Sequence, residues 1–202
     1  MVLRRFLGLR DDRSRDAGDP SSTSPSGRVP RPAAPADADT TTVRRIVSAM
    51  EALPEDQRRY VAAFAYILGR AAHADLRTTD EERALMERTV WELGGIPEAQ
   101  AVLVVEIARS QNELYGGTED YLVTRQFRES TSEDQRLALL RCCFAIGAAE
   151  GSISAEESAE LNQIAKELDL GDEQLNAIRA EFTDRFEAVQ RMRRLPGAAS
   201  DG

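Results

Sequence analysis

Apolar residues recur every three or four positions from Thr42 onward, with no sustained alternation of apolar and polar residues. This spacing is the period of an α-helix that buries one face, whereas alternation indicates strands. Ala, Leu, Glu and Arg, which favour helices, dominate the same region. The pattern therefore predicts an all-α fold, a single compact domain of about seven or eight helices. We place the helices at residues 42–53, 55–74, 80–94, 97–114, 119–129, 133–149, 155–169 and 172–193.

Several helix ends carry residues that favour starting or stopping a helix. Pro54 and Pro97 suit first turns, and Gly94 with Gly95 suits a helix end. Three segments also match the capping box, in which a Ser or Thr and a Glu or Gln three residues later bind each other's backbone N–H groups. The expected capping boxes are Thr79 with Glu82, Ser132 with Gln135, and Ser154 with Glu157.

Residues 1–41 differ from the rest of the chain because they carry five of the eight prolines and no apolar periodicity. Such a segment buries too little apolar surface to offset the entropy lost on ordering. We therefore predict a disordered tail at 1–41, a helical domain at 42–195 and a disordered end at 196–202. Residues 1–10 are too short to span a membrane. A membrane contact through them is a less favoured interpretation than a disordered start.

Charge and cysteine content narrow the classes of function. The chain has 26 Lys and Arg against 35 Asp and Glu, a net charge of -9. Nucleic-acid binding needs a basic face, so we expect no nucleic-acid partner. Cys142 and Cys143 are adjacent in sequence and cannot cross-link distant parts of the fold, so nothing indicates an oxidising compartment. We expect a cytoplasmic protein, peripheral to the membrane if residues 1–10 contact lipid, and at least one of the two cysteines buried.

The helical region contains an internal repeat. An offset of 75 aligns residues 74–93 with residues 149–168 without a gap. Upstream, the sequence EDQR at 55–58 recurs at 133–136. The repeat predicts two copies of a long helix, a short acidic turn and a capped second helix, related by a pseudo-twofold within one domain.

The two acidic turns are the candidate functional sites. Glu157 lies six residues after Gly151, as in the back half of an EF-hand calcium loop, but the first and third loop positions lack oxygen ligands in both copies. We therefore reject an EF-hand. Two interpretations remain, capping of helices by Glu82 and Glu157, or a divalent cation (calcium, magnesium or manganese) shared by acids of both copies. The four acids of the second interpretation are Asp75, Glu82, Glu150 and Glu157.

At these residues the chain resembles the tellurite-resistance TerB family, whose mark is a helix ending in A-A-D-G, then an apolar residue, Ser or Thr, and Glu. The resemblance covers roughly residues 43–187. It implies an all-helical, acidic, non-enzymatic domain of bacterial tellurite and chemical-stress resistance, with metal binding by acids proposed for the family. The chain departs from the pattern at Leu76, Thr78 and Glu150. The matching residues are Ala74 and Asp75 with Thr79 and Glu82, and residues 148–151 with Ile153, Ser154 and Glu157.

The remaining residues show no pattern of an enzyme. His73 is the only histidine, which excludes a histidine dyad or a multi-histidine zinc site. No glycine-rich phosphate loop follows a strand, and no Gly-x-Ser-x-Gly occurs. Seven large apolar residues are assigned to the core rather than to a ligand site. They are Tyr60, Phe64, Leu68, Val90, Trp91, Leu103 and Ile107.

We therefore expect a non-catalytic binding or scaffold domain of a bacterial stress-response system. Its acidic surface would bind a protein partner, with a divalent cation as a further candidate ligand. Two alternatives from other classes are a metalloenzyme that uses the four carboxylates and an adaptor tethered to a membrane by its first ten residues. The oligomeric state is left open.

Overall fold

The computed structural model describes residues 6–7, 36–72, 79–110, 118–149 and 151–194. These residues are predominantly α-helical, with one isolated β-bridge among them. The predicted all-α fold is therefore confirmed. The helices are α1 (Ala36–Glu51), α2 (Glu55–Ala71), α3 (Asp80–Gly94), α4 (Glu98–Ser110), α5 (Thr118–Ser130), α6 (Glu133–Gly147), α7 (Ala155–Glu167), α8 (Asp172–Glu181) and α9 (Glu187–Arg194), with a 3₁₀ turn at Thr183–Arg185.

The N-terminal part of the chain is more helical than its sequence pattern predicts. Helix α1 begins at Ala36, so it includes residues assigned above to the tail. Phe6 and Leu7 are helical and buried. The rest of the predicted tail and the C-terminal segment 195–202 lie outside the described residues. Within the described ranges, no helix combines the length and the apolar character that a membrane span requires.

The chain divides into two compact units, residues 1–58 and residues 59–202, whereas the pattern predicts one domain. In the first unit, the Arg58 guanidinium donates hydrogen bonds of 3.0 Å to the carbonyl oxygens of Met50 and Leu53. Carbonyls at a helix end have no partner within the helix, so Arg58 caps the end of α1. Its guanidinium also lies 5.9 Å from the ring centroid of Phe6.

The second unit contains the aromatic core. The rings of Tyr60 and Phe64 on α2 lie 5.3 and 6.3 Å from that of Phe127 on α5. Gly94, at the end of α3, lies so close to this cluster that an added Cβ would be 3.2 Å from Phe64 Cζ and 3.5 Å from Cys142 Sγ. A side chain at position 94 would therefore require the Phe64 ring to shift by a few tenths of an ångström.

The prediction of one continuous helix at 172–193 is wrong, because the chain leaves the helical conformation between α8 and α9. Phe186 is extended, with φ -71° and ψ 129°. Ile153 donates its N–H to the Arg185 carbonyl at 2.7 Å, and Glu187 donates to the Ile153 carbonyl at 2.9 Å. These bonds form a parallel bridge between Ile153 and Phe186. A helix cannot continue through a residue whose neighbours bond to another segment, and helical periodicity does not reveal this pairing.

Candidate functional site

The second acidic turn is held in place by the segment that follows α8. Gly151 has φ +107°, a backbone conformation that side chains disfavour, so this position requires glycine. Its carbonyl accepts a 3.0 Å hydrogen bond from Gln190 Nε2. Ile153, two residues later, is buried and bonded on both backbone groups. The turn is therefore fixed by bonds within the protein.

All three predicted capping boxes form. In the second turn, Glu157 Oε2 accepts from the Ser154 N–H at 2.7 Å, and Ser154 Oγ accepts from the Glu157 N–H at 3.1 Å. Thr79 and Glu82 make the same pair of bonds at 2.7 and 3.2 Å. The hydrogen bond from the Thr79 N–H lowers the pKa of Glu82, and the bond from the Thr79 hydroxyl adds a smaller effect in the same direction. The third box joins Ser132 and Gln135.

Only two of the four acids of the predicted cation site, Glu82 and Glu157, are among the described residues. Asp75 and Glu150 lie outside the described residues, as does His73. Among the described side chains, no three His, Cys, Asp or Glu residues form a group that could hold a metal ion. Glu82 and Glu157 are observed in their capping role, and the shared cation stays a prediction.

A buried ionic network joins α2, α5 and α7, and the sequence analysis missed it. Arg70 on α2 lies 2.7 Å from both Glu160 and Glu167 on α7 and 3.9 Å from Asp120 on α5. Arg70 Nη1 also donates to Thr124 Oγ1 at 3.0 Å. One guanidinium thus faces three carboxylates from two other helices.

Hydrogen bonds and charge override burial in this network. Burial alone would lower the pKa of Arg70, but Glu167, Glu160 and Asp120 raise it. Burial alone would raise the pKa of Glu167, but bonds from Arg70 and Gln163 lower it overall. Both side chains are therefore charged, and the network stabilises the packing of three helices rather than supplying a proton donor.

One signal in the sequence could have pointed to this network. Arg70 is the only charged residue between Arg59 and Asp75, in an otherwise largely apolar stretch of the chain. A charge in such a run is buried, and a buried charge requires partners. Which acids supply them depends on how α5 and α7 pack against α2, and helical periodicity does not encode that.

Both adjacent cysteines are buried, where at least one was expected to be. Burial raises the pKa of Cys142 to about 12. Burial also raises the pKa of Cys143 well above its ordinary value. The thiolate is the reactive form of cysteine, so neither residue is suited to nucleophilic catalysis.

A groove of about 590 Å³ lies between α3 and α4, and it contains an exposed tryptophan. Trp91 is 46% exposed and Leu85 is 54% exposed. The assignment of Trp91 to the core is therefore wrong. The lining residues are Glu81, Ala84, Leu85, Glu87, Arg88, Trp91, Glu98 and Val102.

The position of Trp91 follows from helix geometry. Val90 and Gly94 on α3 are both buried, and they mark the face of this helix that contacts the core. Successive residues on a helix are rotated by about 100°, so Trp91 points away from that face. Ala84, Arg88 and Trp91 are spaced by four and three residues and share the outer stripe. The apolar character of Trp91 predicts a core position, but the adjacent Val90 occupies the buried face of α3.

The rim of the groove is acidic. Glu81, Glu87 and Glu98 contribute three negative charges to its lining, and Arg88 contributes one positive charge. Arg88 also lies 3.7 Å from Glu92 on the same helix. The lining therefore carries a formal charge of -3 + 1 = -2, and its apolar part consists of Ala84, Leu85, Trp91 and Val102.

Comparison with known proteins supplies the family. No curated protein and no solved structure matches the chain. The model of one protein family, described as tellurite resistance protein TerB, matches residues 61–180. This match covers more than half of the 202 residues. It spans the three helices with capping boxes and the second acidic turn, and the chain belongs to the TerB family of tellurite resistance proteins.

Proposed function

We propose that this protein is a non-catalytic binding domain of a bacterial tellurite-resistance-like stress system, acting in the cytoplasm on a protein partner. The observation that carries the proposal is the groove between α3 and α4, with the exposed side chains of Trp91 and Leu85 in its lining. Aromatic residues are enriched where proteins bind each other, and an exposed apolar groove with a polar rim is typical of such sites.

The chemistry of the other clusters supports binding rather than catalysis. The cysteine thiols are buried, with raised pKa values. The carboxylates of Glu160 and Glu167 are paired with Arg70 and hold helices together. These groups serve the stability of the fold, which leaves the acidic outer surface as the part that a partner would meet.

A divalent cation is the second ligand that we propose, and it rests on the spacing of the four acids alone. Glu82 and Glu157, the two that the structure describes, are engaged as helix caps. Calcium, magnesium and manganese all prefer carboxylate oxygens, so each is a candidate.

Growth under tellurite tests the proposed function. In the source bacterium, deletion of the gene should lower tolerance to potassium tellurite, and the intact chain should restore it. Leu85→Asp places a charge in the lining of the groove and should fail to restore tolerance. Leu122→Asp is the matched control, because Leu122 on α5 is likewise exposed but lies outside the groove.

Both variants should melt at the temperature of the parent protein, since each replaces an exposed side chain. Full tolerance with Leu85→Asp, or a deletion strain as tolerant as its parent, would contradict the proposal.

A further inference from the structure

We propose that the groove between α3 and α4 binds a basic amphipathic helix of a partner protein, about three turns long. This inference rests on the proposed function and names the chemistry of the partner. It is carried by three features of the groove, its length, its position between two helices and the charge of its rim.

The length of the groove sets the length of the partner segment. The lining residues of α3 extend from Glu81 to Trp91, a distance of ten residues. At about 1.5 Å per residue, the stripe is about 15 Å long. A helix of about ten residues covers this length, with apolar side chains at positions i, i+3 or i+4, and i+7 directed at the groove.

The shape of the groove favours a helix over an extended peptide. Its walls are two helices joined by the short connection through Gly95, Ile96 and Pro97, and α4 lines it only at its first turns, with Glu98 and Val102. Side-chain ridges of a third helix pack into grooves of this kind. An extended peptide is typically bound by the backbone groups of a sheet edge, and the backbone groups of α3 and α4 are bonded within their own helices.

The charge of the rim selects a basic helix. Three acids and one arginine line the groove. The arginine has Glu92 as a neighbour at 3.7 Å, and Glu87 has Arg83 as a neighbour at 3.5 Å, so Glu81 and Glu98 are the acids that a basic partner would meet. Basic residues flanking the apolar stripe of a partner would meet Glu81 and Glu98, which are exposed at the first turns of α3 and α4. Such complementarity accelerates association and orients the partner, and salt screens it.

The experiment selects peptides that bind the full chain from a library of helical peptides displayed on phage. The solvent-facing positions of each peptide helix are randomised. We expect the enriched peptides to carry a net positive charge and an apolar i, i+4, i+7 stripe. Trp91 is the only tryptophan, and it lies in the groove, so its fluorescence reports occupancy directly. A synthetic copy of the most enriched peptide should shift the Trp91 emission to shorter wavelength as the ring loses contact with water.

Variants of the protein locate the binding. Leu85→Asp places a charge among the apolar contacts, and Glu98→Lys places a positive charge opposite the basic residues of the peptide, so each should weaken its binding by about tenfold or more. Leu122→Asp and Glu173→Lys are the controls, and neither should weaken it. Glu173 lies in the first turn of α8, so its substitution makes the same charge change in the first turn of a helix outside the groove. Binding should also weaken as salt is raised.

Several results would overturn the inference. These are enrichment of acidic or extended peptides, no enrichment at all, binding without a change in Trp91 emission, or equal losses in the control variants. A Trp91 shift that depends on protein concentration without peptide would identify a second copy of the chain as the occupant.

The growth assay separates this inference from the proposed function. If Leu85→Asp abolishes tolerance but the library returns acidic or extended peptides, the function stands and the partner chemistry is wrong. If basic helices bind at Trp91 while Leu85→Asp leaves tolerance unchanged, the groove binds such helices but the proposed stress function fails.

Discussion

Arg70 Nη1 on α2 lies 2.7 Å from Glu167 Oε2 on α7, and only 11% and 7% of the two side chains are exposed. A buried ion pair of this kind adds modest net stability compared with apolar residues, but removal of one partner leaves an uncompensated charge in the interior. The pair therefore makes the packing of α2 against α7 sensitive to single substitutions and to pH.

Replacing Arg70 should destabilise the protein strongly. Arg70→Ala leaves Glu160 and Glu167 without their cation, and we expect a loss of about 3–5 kcal/mol in the free energy of unfolding. Urea denaturation measures this loss. Arg125→Ala is the control, because Arg125 pairs with Glu129 at 2.8 Å on the exposed surface and should matter much less. Similar losses in both variants would contradict the burial argument.

Stability should depend on the ionisation of Glu167. The folded protein lowers the pKa of Glu167, so its charged form stabilises the fold above the ordinary pKa of a glutamate. This contribution is lost as the pH falls through the lowered value. The difference in free energy of unfolding between the parent and Glu167→Gln should therefore be largest near neutral pH and shrink in acid. A difference independent of pH would show that Glu167 acts only through packing.

Two glycine-to-alanine substitutions should have opposite effects. Gly94→Ala places a Cβ 3.2 Å from Phe64 Cζ, and the buried aromatic cluster leaves that ring little room, so we expect a loss of about 1–3 kcal/mol. Gly147→Ala meets nothing within 4 Å at the end of α6 and should stabilise by about 0.4–1 kcal/mol. Thermal unfolding measured for both variants checks the signs, and a stabilising Gly94→Ala would refute the close approach.

Capping and cation binding make different predictions for Glu157→Gln. Glutamine retains the acceptor for the Ser154 N–H, so capping alone predicts a loss of only about 0.3–1 kcal/mol from the missing charge. A cation site predicts that millimolar calcium, magnesium or manganese stabilises the parent and that Glu157→Gln removes this effect. If the melting temperature of the parent does not change with these cations, capping is the whole role of Glu157. A shift in the parent that disappears in Glu157→Gln and Glu150→Gln would establish the cation site.

The cysteines should react slowly in the folded protein. Burial raises the pKa of Cys142 to about 12, and Cys143 is buried beside it. A thiol-specific colour reagent should therefore modify both residues at the rate at which the protein opens, and rapidly in denaturant. Fast modification without denaturant would show that the packing around Cys142 opens locally.

The second acidic turn shows how local signals succeed and where they stop. Ser154 and Glu157 could be identified as a capping box because both bonds join residues three apart in sequence. The bridge between Ile153 and Phe186 joins segments more than thirty residues apart, so it could not be identified from the sequence. The same contrast explains Trp91, whose apolar side chain is compatible with either face of α3 until the packing of the helix is known.

The sequence by itself determined the helical class, the capping boxes and the burial of the cysteines. Helix propensity, apolar periodicity and capping all act over one or two turns, and a single segment encodes them. Only the tertiary structure decided which carboxylates surround Arg70, where the last helix breaks and that Trp91 lies in an acidic groove. Each of these depends on which faces of distant helices meet, and that choice is set by the packing of the whole core rather than by any local pattern.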